Sequence, residues 1–417
     1  PTWPRACNGA SGAFPGAPEQ IVGGNMFVKL LKGWLMPLAI VLSVLAIAQG
    51  GWWLWAPVLG LFAMFVLGDW LLPRDLSAAI DSDSAIFNLP VYSILPLLVV
   101  FNGALLWMLG SGDFAQIGEW LRAHAGLDLF AGREATSSWM QWLGGVLSAG
   151  LLNALAGTVA GHELTHRTSR PFDLVLGRWL LTLTADTSFA IEHVYGHHAR
   201  VATPDDPATA RRGESFYAFA WRSTIHSYVH AYQMEKGRLA KFGKSVWNLR
   251  VSPFMRGNLQ NLVPAAAAFA LAGLTGLLVW IVIAIVGKEL LEIQNYFAHY
   301  GLVRESGKPV RPHHSWNSNH WMSTNVLYSL ARHSHHHAEA DAAYWTLDAM
   351  PESPNLPGGY LTMVPVALIP PLFKRLMTPA LNEWDRKYAT PAEREMAREA
   401  SLKSGMRGLD LATPLAA

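Results

Sequence analysis

The sequence predicts an all-α integral membrane protein with about six transmembrane helices and a histidine-rich helical region on its cytosolic face. Three observations predict it: apolar runs of spanning length, a scarcity of charge, and histidines repeating at helical intervals. Of 417 residues 51% are hydrophobic, only 15% are charged and eighteen are Trp, a balance that follows from the exclusion of ionised groups by lipid. The formal net charge is +2, and no basic arm or interleaved basic and aromatic stretch argues for nucleic acid. One cysteine, Cys7, excludes a disulfide framework or a cysteine metal site within the chain.

Residues 1–25 are rich in Gly, Pro and Ala and lack the charged n-region and apolar core of a signal peptide. They are expected to form a disordered extension, with Met26 as a candidate start. A helix needs about 20 apolar residues to cross roughly 30 Å of hydrocarbon, and spans are placed near 33–49, 51–71, 89–110 and 142–161. The apolar run from Leu259 to Val286 is too long for one span and contains Gly273 and Gly276. It is read as a hairpin with spans at 259–273 and 276–296.

Six spans put both termini on one side. The segment between Arg167 and Arg256 is rich in Arg and Lys. The loop from Ser111 to Trp139 instead sets Arg122 and Arg133 against Asp113, Glu119, Asp128 and Glu134. The positive-inside rule then makes the histidine-bearing side cytoplasmic. Tyr360 to Phe373 contains Pro365, Pro370 and Pro371, too broken for a seventh span. A membrane-embedded domain over 26–376 is thus expected to precede a charged cytosolic tail over 377–417.

Nine of sixteen histidines have ligand-like spacing. His162 and His166 stand four apart in GHELTH and share a helical face. EHVYGHH supplies His193, His197 and His198, and NYFAHYG supplies His299 at the end of the last span. RHSHHH supplies His333, His336 and His337 at i, i+3 and i+4, with His335 on another face. Imidazole suits Fe, Cu and Zn, and nine rings exceed what one ion takes, so the arithmetic favours two metals. His226 and His230, although four apart, lie outside any such box and are read as structural. His313, His314 and His320 fall in a loop near the site. HELTH also fits the H-E-x-x-H zinc-protease pattern with Glu163 as base, but that reading leaves seven histidines unexplained, and the chain lacks the Asp-Gly motif of membrane proteases of that type. A transporter would tolerate loss of the histidines.

The boxes H-x3-H, H-x3-HH and H-x2-HH resemble the membrane fatty-acid desaturase and hydroxylase superfamily. EHVYGHHARVATPDDPATAR, NYFAHYGLVR, HHSWNSNH and RHSHHHA resemble the alkane 1-monooxygenase family more specifically, with the xylene monooxygenase hydroxylase component as its nearest relative. The resemblance implies two histidine-ligated iron ions held by His162, His166, His193, His197, His198, His299, His333, His336 and His337. It also implies O2 as cosubstrate and hydroxylation of a terminal methyl to a primary alcohol. The alternatives are an aryl-methyl substrate and fatty-acyl desaturation. One cysteine cannot ligate a rubredoxin or ferredoxin iron, so electrons are expected from a separate carrier of that type with an NAD(P)H reductase. Arg211, Arg212, Lys241 and Lys244 are candidates for attracting it. Trp52, Trp53, Trp55 and Phe62 are candidates for lining a hydrocarbon channel. Two departures stand out: Ala298 where the alkane branch usually has Glu, and His335 where it usually has Asp. NEWDRKYATPAERE leans toward the xylene branch, whereas HSWNSNH and PNLPGGY lean toward the alkane branch.

Overall fold

The computed structural model describes residues 25–81 and 84–411; positions 1–24 of the expected extension, Cys7 among them, lie outside the described residues. The described chain is helical, and its one extended pairing is a single bridge between Asn317 and Asn355. The elements used below are α1 (Met26–Ala48), α2 (Gly51–Leu71), α3 (Ala85–Leu109), α4 (Trp139–His166), α5 (Pro171–Leu181), α6 (189–200), α7 (Phe216–Ala240) and α8 (Pro253–Ala298). They are followed by α9 (His333–Ala338), α10 (Tyr360–Ala367), α11 (Pro370–Lys387) and α12 (Pro391–Ser404).

Five of these, α1 to α4 and α8, are long and apolar enough to cross a membrane. Their outer faces expose leucines such as Leu38, Leu42, Leu59, Leu67 and Leu278, which is stable only against lipid. Inside the bundle Asn102 and Asn153 exchange side-chain amide hydrogen bonds of 2.8 and 3.2 Å between α3 and α4.

Helix α8 folds back on itself within its apolar run. Its helical backbone breaks at Ala272 and Gly273, where Gly273 has φ +60°, a conformation that suits glycine. Three residues on, a Cβ at Gly276 would come 2.2 Å from the Ala268 carbonyl oxygen. In an unbroken helix positions eight apart are about 12 Å apart. The chain therefore reverses at Gly273, and this stretch is a helical hairpin. Its tip packs the Leu271 carbonyl against Gly110, just beyond α3.

The C-terminal segment packs onto the histidine-bearing end. Phe373, Met377, Leu381 and Trp384 of α11 are fully buried. Arg212 reaches α11 and α12 together, giving Nη–carboxylate contacts of 2.7 and 2.5 Å to Asp385 and a 2.7 Å bond to the Ser401 hydroxyl.

Candidate metal centre

The last turns of α4 continue an apolar helix into HELTH, so the i, i+4 pair His162 and His166 emerges at the end of the bundle. Their Nε2 atoms lie 3.3 Å apart, as a shared helical face requires. Glu163, one position on, faces elsewhere: it accepts a 2.7 Å bond from Arg167 and a 3.2 Å bond from the Tyr344 N–H. The carboxylate that a zinc protease would use as base is thus committed to structure.

The second box depends on an unusual local helix. Glu192–His197 forms a π-helical turn within α6. In an α-helix, residue i+5 points well away from residue i. The i→i+5 bonding of a π turn brings it back, a geometry frequent at functional sites. His193 and His198, five apart, consequently bring their Nε2 atoms to 3.1 Å. His197 projects to the other side.

All nine expected histidines converge, in two sets. His162, His166, His193, His198 and His336 form one compact group, with one ring nitrogen of each within 4.8 Å of all the others; His197, His299 and His337 form another. His333 joins the second set through Nε2–Nε2 distances of 3.1 Å to both His299 and His337. His336 joins the first, 3.1 Å from His198. Boxes two and four each divide between the sets: one side of α6 and of α9 serves each group.

This donor set fits metal ions. His193, His198 and His336 form a chain of 3.1 Å nitrogen contacts. Separations of roughly 3 Å are expected between donors about 2.1 Å from one cation. His197 gives the most direct evidence. Its Nδ1 is 2.9 Å from Asp206, while its buried Nε2 has no hydrogen-bond partner. Nδ1 is therefore committed to Asp206, and Nε2 is the nitrogen left for the cluster. Burial first, and neighbouring imidazoles second, push His193, His198, His336 and His337 well below the ordinary histidine value. That favours neutral rings, the form that binds cations. For His197 burial acts in the same direction, but the Asp206 carboxylate overrides it and raises the ring.

Surrounding groups hold the His197 and His299 rings. Asp206, from the TPDDP segment, also accepts bonds from the Thr209 hydroxyl (2.5 Å) and the Ala208 N–H (3.1 Å). The His299 Nδ1 contacts the His314 carbonyl at 3.4 Å. His314 accepts the Arg311 N–H at Nδ1 (3.0 Å), so its Nε2–H donates to Glu393 of α12 at 2.8 Å. His313, His314 and Glu393 form a metal-like triplet, but this tautomer makes it a hydrogen-bonded clasp. Arg332 anchors α9 by donating to the Leu347 carbonyl and, at 2.9 Å, to the Ser77 carbonyl.

His335 stands outside both sets and accepts the Asp348 N–H at 2.6 Å. His226 is exposed, while His230 contacts Glu192 at 3.1 Å. The supports at Asp206, Glu192 with His230, and Glu393 were not assigned from the sequence. Only Asp206 had a legible signal, two adjacent acids within the quoted histidine string.

A narrow apolar cavity touches both sets. It is lined by His162, His193 and His333 together with Thr158, Phe189, Leu290, Phe297, Leu330 and Tyr360. Trp52, Trp53, Trp55 and Phe62 are not among its lining residues. Trp52 and Trp53 are exposed, and Trp55 caps the opposite end of α4 by donating to the Met140 carbonyl. The cavity is lined instead from α4, α6, α8 and α10 and by Leu327, Leu330 and His333. Arg212 is also corrected. It is 5% exposed and bonded to Asp385, so it ties down the C-terminal helices, whereas Arg211, Lys241 and Lys244 are exposed.

The sequence profile of the Fatty acid desaturase family matches residues 137–367, which hold all nine histidines. This chain belongs to that family. The chain is 34% identical to alkane 1-monooxygenase 1 of Pseudomonas aeruginosa over 85% of this chain and 88% of the relative. It is 40% identical to alkane 1-monooxygenase 1 of Alcanivorax borkumensis over 58% and 61% of the two chains. It is 30% identical to the xylene/toluene monooxygenase hydroxylase component of Pseudomonas putida over 90% and 95%. The chain is accordingly a membrane oxidoreductase of the alkane 1-monooxygenase type.

Proposed function

We propose that this family member hydroxylates the terminal methyl group of an alkane to a primary alcohol, with O2 as oxidant and two electrons from a separate carrier protein. The observation that carries this reading is the contact of one apolar cavity with both histidine sets. His162, His166, His193, His198 and His336 would hold one iron, and His197, His299, His333 and His337 the other. Iron in this setting supplies activation of dioxygen, which the protein's own side chains do not.

The chain's contribution is placement. Phe189, Leu290, Phe297 and Leu330 provide an apolar surround that accepts a hydrocarbon and excludes water. Asp206 holds the His197 Nδ1 proton, which keeps the ring's Nε2 turned inward. The Arg and Lys of the 167–256 segment support a cytoplasmic orientation of the histidines, and the bacterial relatives support a bacterial inner membrane. Exposed Arg211, Lys241 and Lys244 present charge to an acidic carrier there.

Aryl-methyl hydroxylation is the second reading, favoured by the nearly full-length match to the xylene/toluene component. Whole cells supplied with redox partners and offered short alkanes, long alkanes and xylenes separate the two. A primary alkanol as main product is the expected result. Benzylic alcohol alone would select the second reading, and alkenes would overturn both.

A further inference from the structure

A second concavity lies away from the histidines. It is a groove of about 510 Å³ between α5, α6 and the start of α8, a volume typical of small-molecule sites. Its walls include Leu174, Val175, Ala190, Leu259 and Val263, and two arginines, Arg178 and Arg256, also line it. No carboxylate is among its lining residues.

The arginines are under-used. Arg178 donates from Nη1 to the Pro253 carbonyl at 3.1 Å, but its Nε is buried with no hydrogen-bond partner. Burial, and then the neighbouring Arg256, lower Arg178 to about 10. The carboxylate that opposes this shift, Glu235, is bonded to Arg238 at 2.7 and 2.8 Å. Arg256 is exposed and gives only Nη1, to the Leu249 and Arg250 carbonyls. Two like charges sharing a groove without an acid are costly, and an anion relieves that cost.

Position selects the kind of anion. Leu259, Leu262 and Val263 are exposed where α8 enters its apolar run, and Phe172 and Val175 of α5 are exposed beside them. Arg256 precedes Leu259 by one turn, roughly 4.5 Å along the helix. That is about the depth of a headgroup layer, some 5–7 Å on each side of the hydrocarbon. The groove is therefore continuous with the lipid-facing surface, with its cations at phosphate level. Basic pockets between helices on the cytoplasmic side bind anionic headgroups in this way, and guanidinium matches phosphate oxygens in pairs.

We propose that this groove is a binding site for one anionic phospholipid, its phosphate held by Arg178 and Arg256 and an acyl chain lying against Leu174, Val175 and Val263. The site stands independently of the oxygenation chemistry.

The test uses the full chain in neutral detergent, stripped of lipid, with native mass spectrometry reading adducts of phosphatidylglycerol and of phosphatidylcholine with identical acyl chains. Phosphatidylglycerol is expected to bind about tenfold more tightly. Arg256→Gln should remove most of that preference, and Arg178→Gln with Arg256→Gln all of it. Val263→Trp, which fills the apolar wall, should weaken both lipids. Because Arg256 is exposed, its variant can be checked for folding by elution profile and metal content. Equal binding of the two lipids by the unaltered protein would overturn the proposal. So would an unchanged preference in folded Arg256→Gln, or thermal protection by inorganic phosphate alone equal to that by phosphatidylglycerol.

Discussion

At the residue scale the centre separates histidines that hold from histidines that pack. His166 and His336 belong to one five-membered set. Alanine at either should abolish hydroxylation and release metal while leaving folded protein in the membrane, as read by product analysis beside iron content. His335 lies in the same short helix but receives the Asp348 N–H. His335→Ala should keep its iron and measurable turnover, and lose about 0.5–1.5 kcal/mol of stability with the hydrogen bond that its Nδ1 accepts. Loss of iron from that variant would contradict the division of α9 between sets and packing. Asp206→Ala should weaken metal retention about 10–100-fold against a competing chelator, since it frees the His197 ring; undiminished retention would show that the carboxylate does not orient the ligand. Acid sensitivity follows from the same rings. In the unfolded chain they take up protons around pH 6.5, whereas folded His193, His198, His336 and His337 remain neutral below that value. The unfolded state then binds more protons, so the metal-free protein should lose stability as pH falls below 6.5 and regain it above. Melting curves on either side of that pH check the sign.

At the element scale the π turn and the hairpin do work that helical spacing alone does not describe. H-x3-HH on an ordinary α-helix turns the last ring away from the first. The π turn returns His198 to His193 and leaves His197 for the other set. Deleting Val194, which restores α-helical register, should keep the helix but lower metal content by at least one ion. Full metal loading would show that ring positions do not depend on the widened turn. In α8 a side chain at Gly276 meets backbone, the Ala268 carbonyl, rather than a movable side chain. Gly276→Leu should therefore lower the yield of folded protein sharply, whereas Gly60→Leu, with open space around it, should not.

At the scale of the whole molecule the charged C-terminal sequence belongs to the centre's support. Glu393 would be raised by burial, but bonds from His313, His314 and the Thr390 N–H hold it well below the usual carboxylate range. Through His314 it steadies the carbonyl facing His299. A chain ending before α12 loses this clasp and the Ser401 bond to Arg212. It should still insert in the membrane, yet retain metal about tenfold less well; unchanged retention would reduce α12 to a solvent-exposed appendage.

The sequence by itself determined the helical membrane class and the nine convergent histidines. Both leave periodic marks: lipid demands long apolar runs, and a helix repeats its faces every three to four residues. The reversal in α8 was legible for a similar reason, since an apolar run too long for one span contained Gly273. What the tertiary structure decided was which rings share a set, which acids and carbonyls hold them, and which helices wall the cavity. His197 lies next to His198 in the chain and still belongs to the other group, while Asp206, Glu393 and His314 reach the site from separate segments. Such pairings are set by the packing of distant elements, and among these supports only Asp206 left a mark in the sequence.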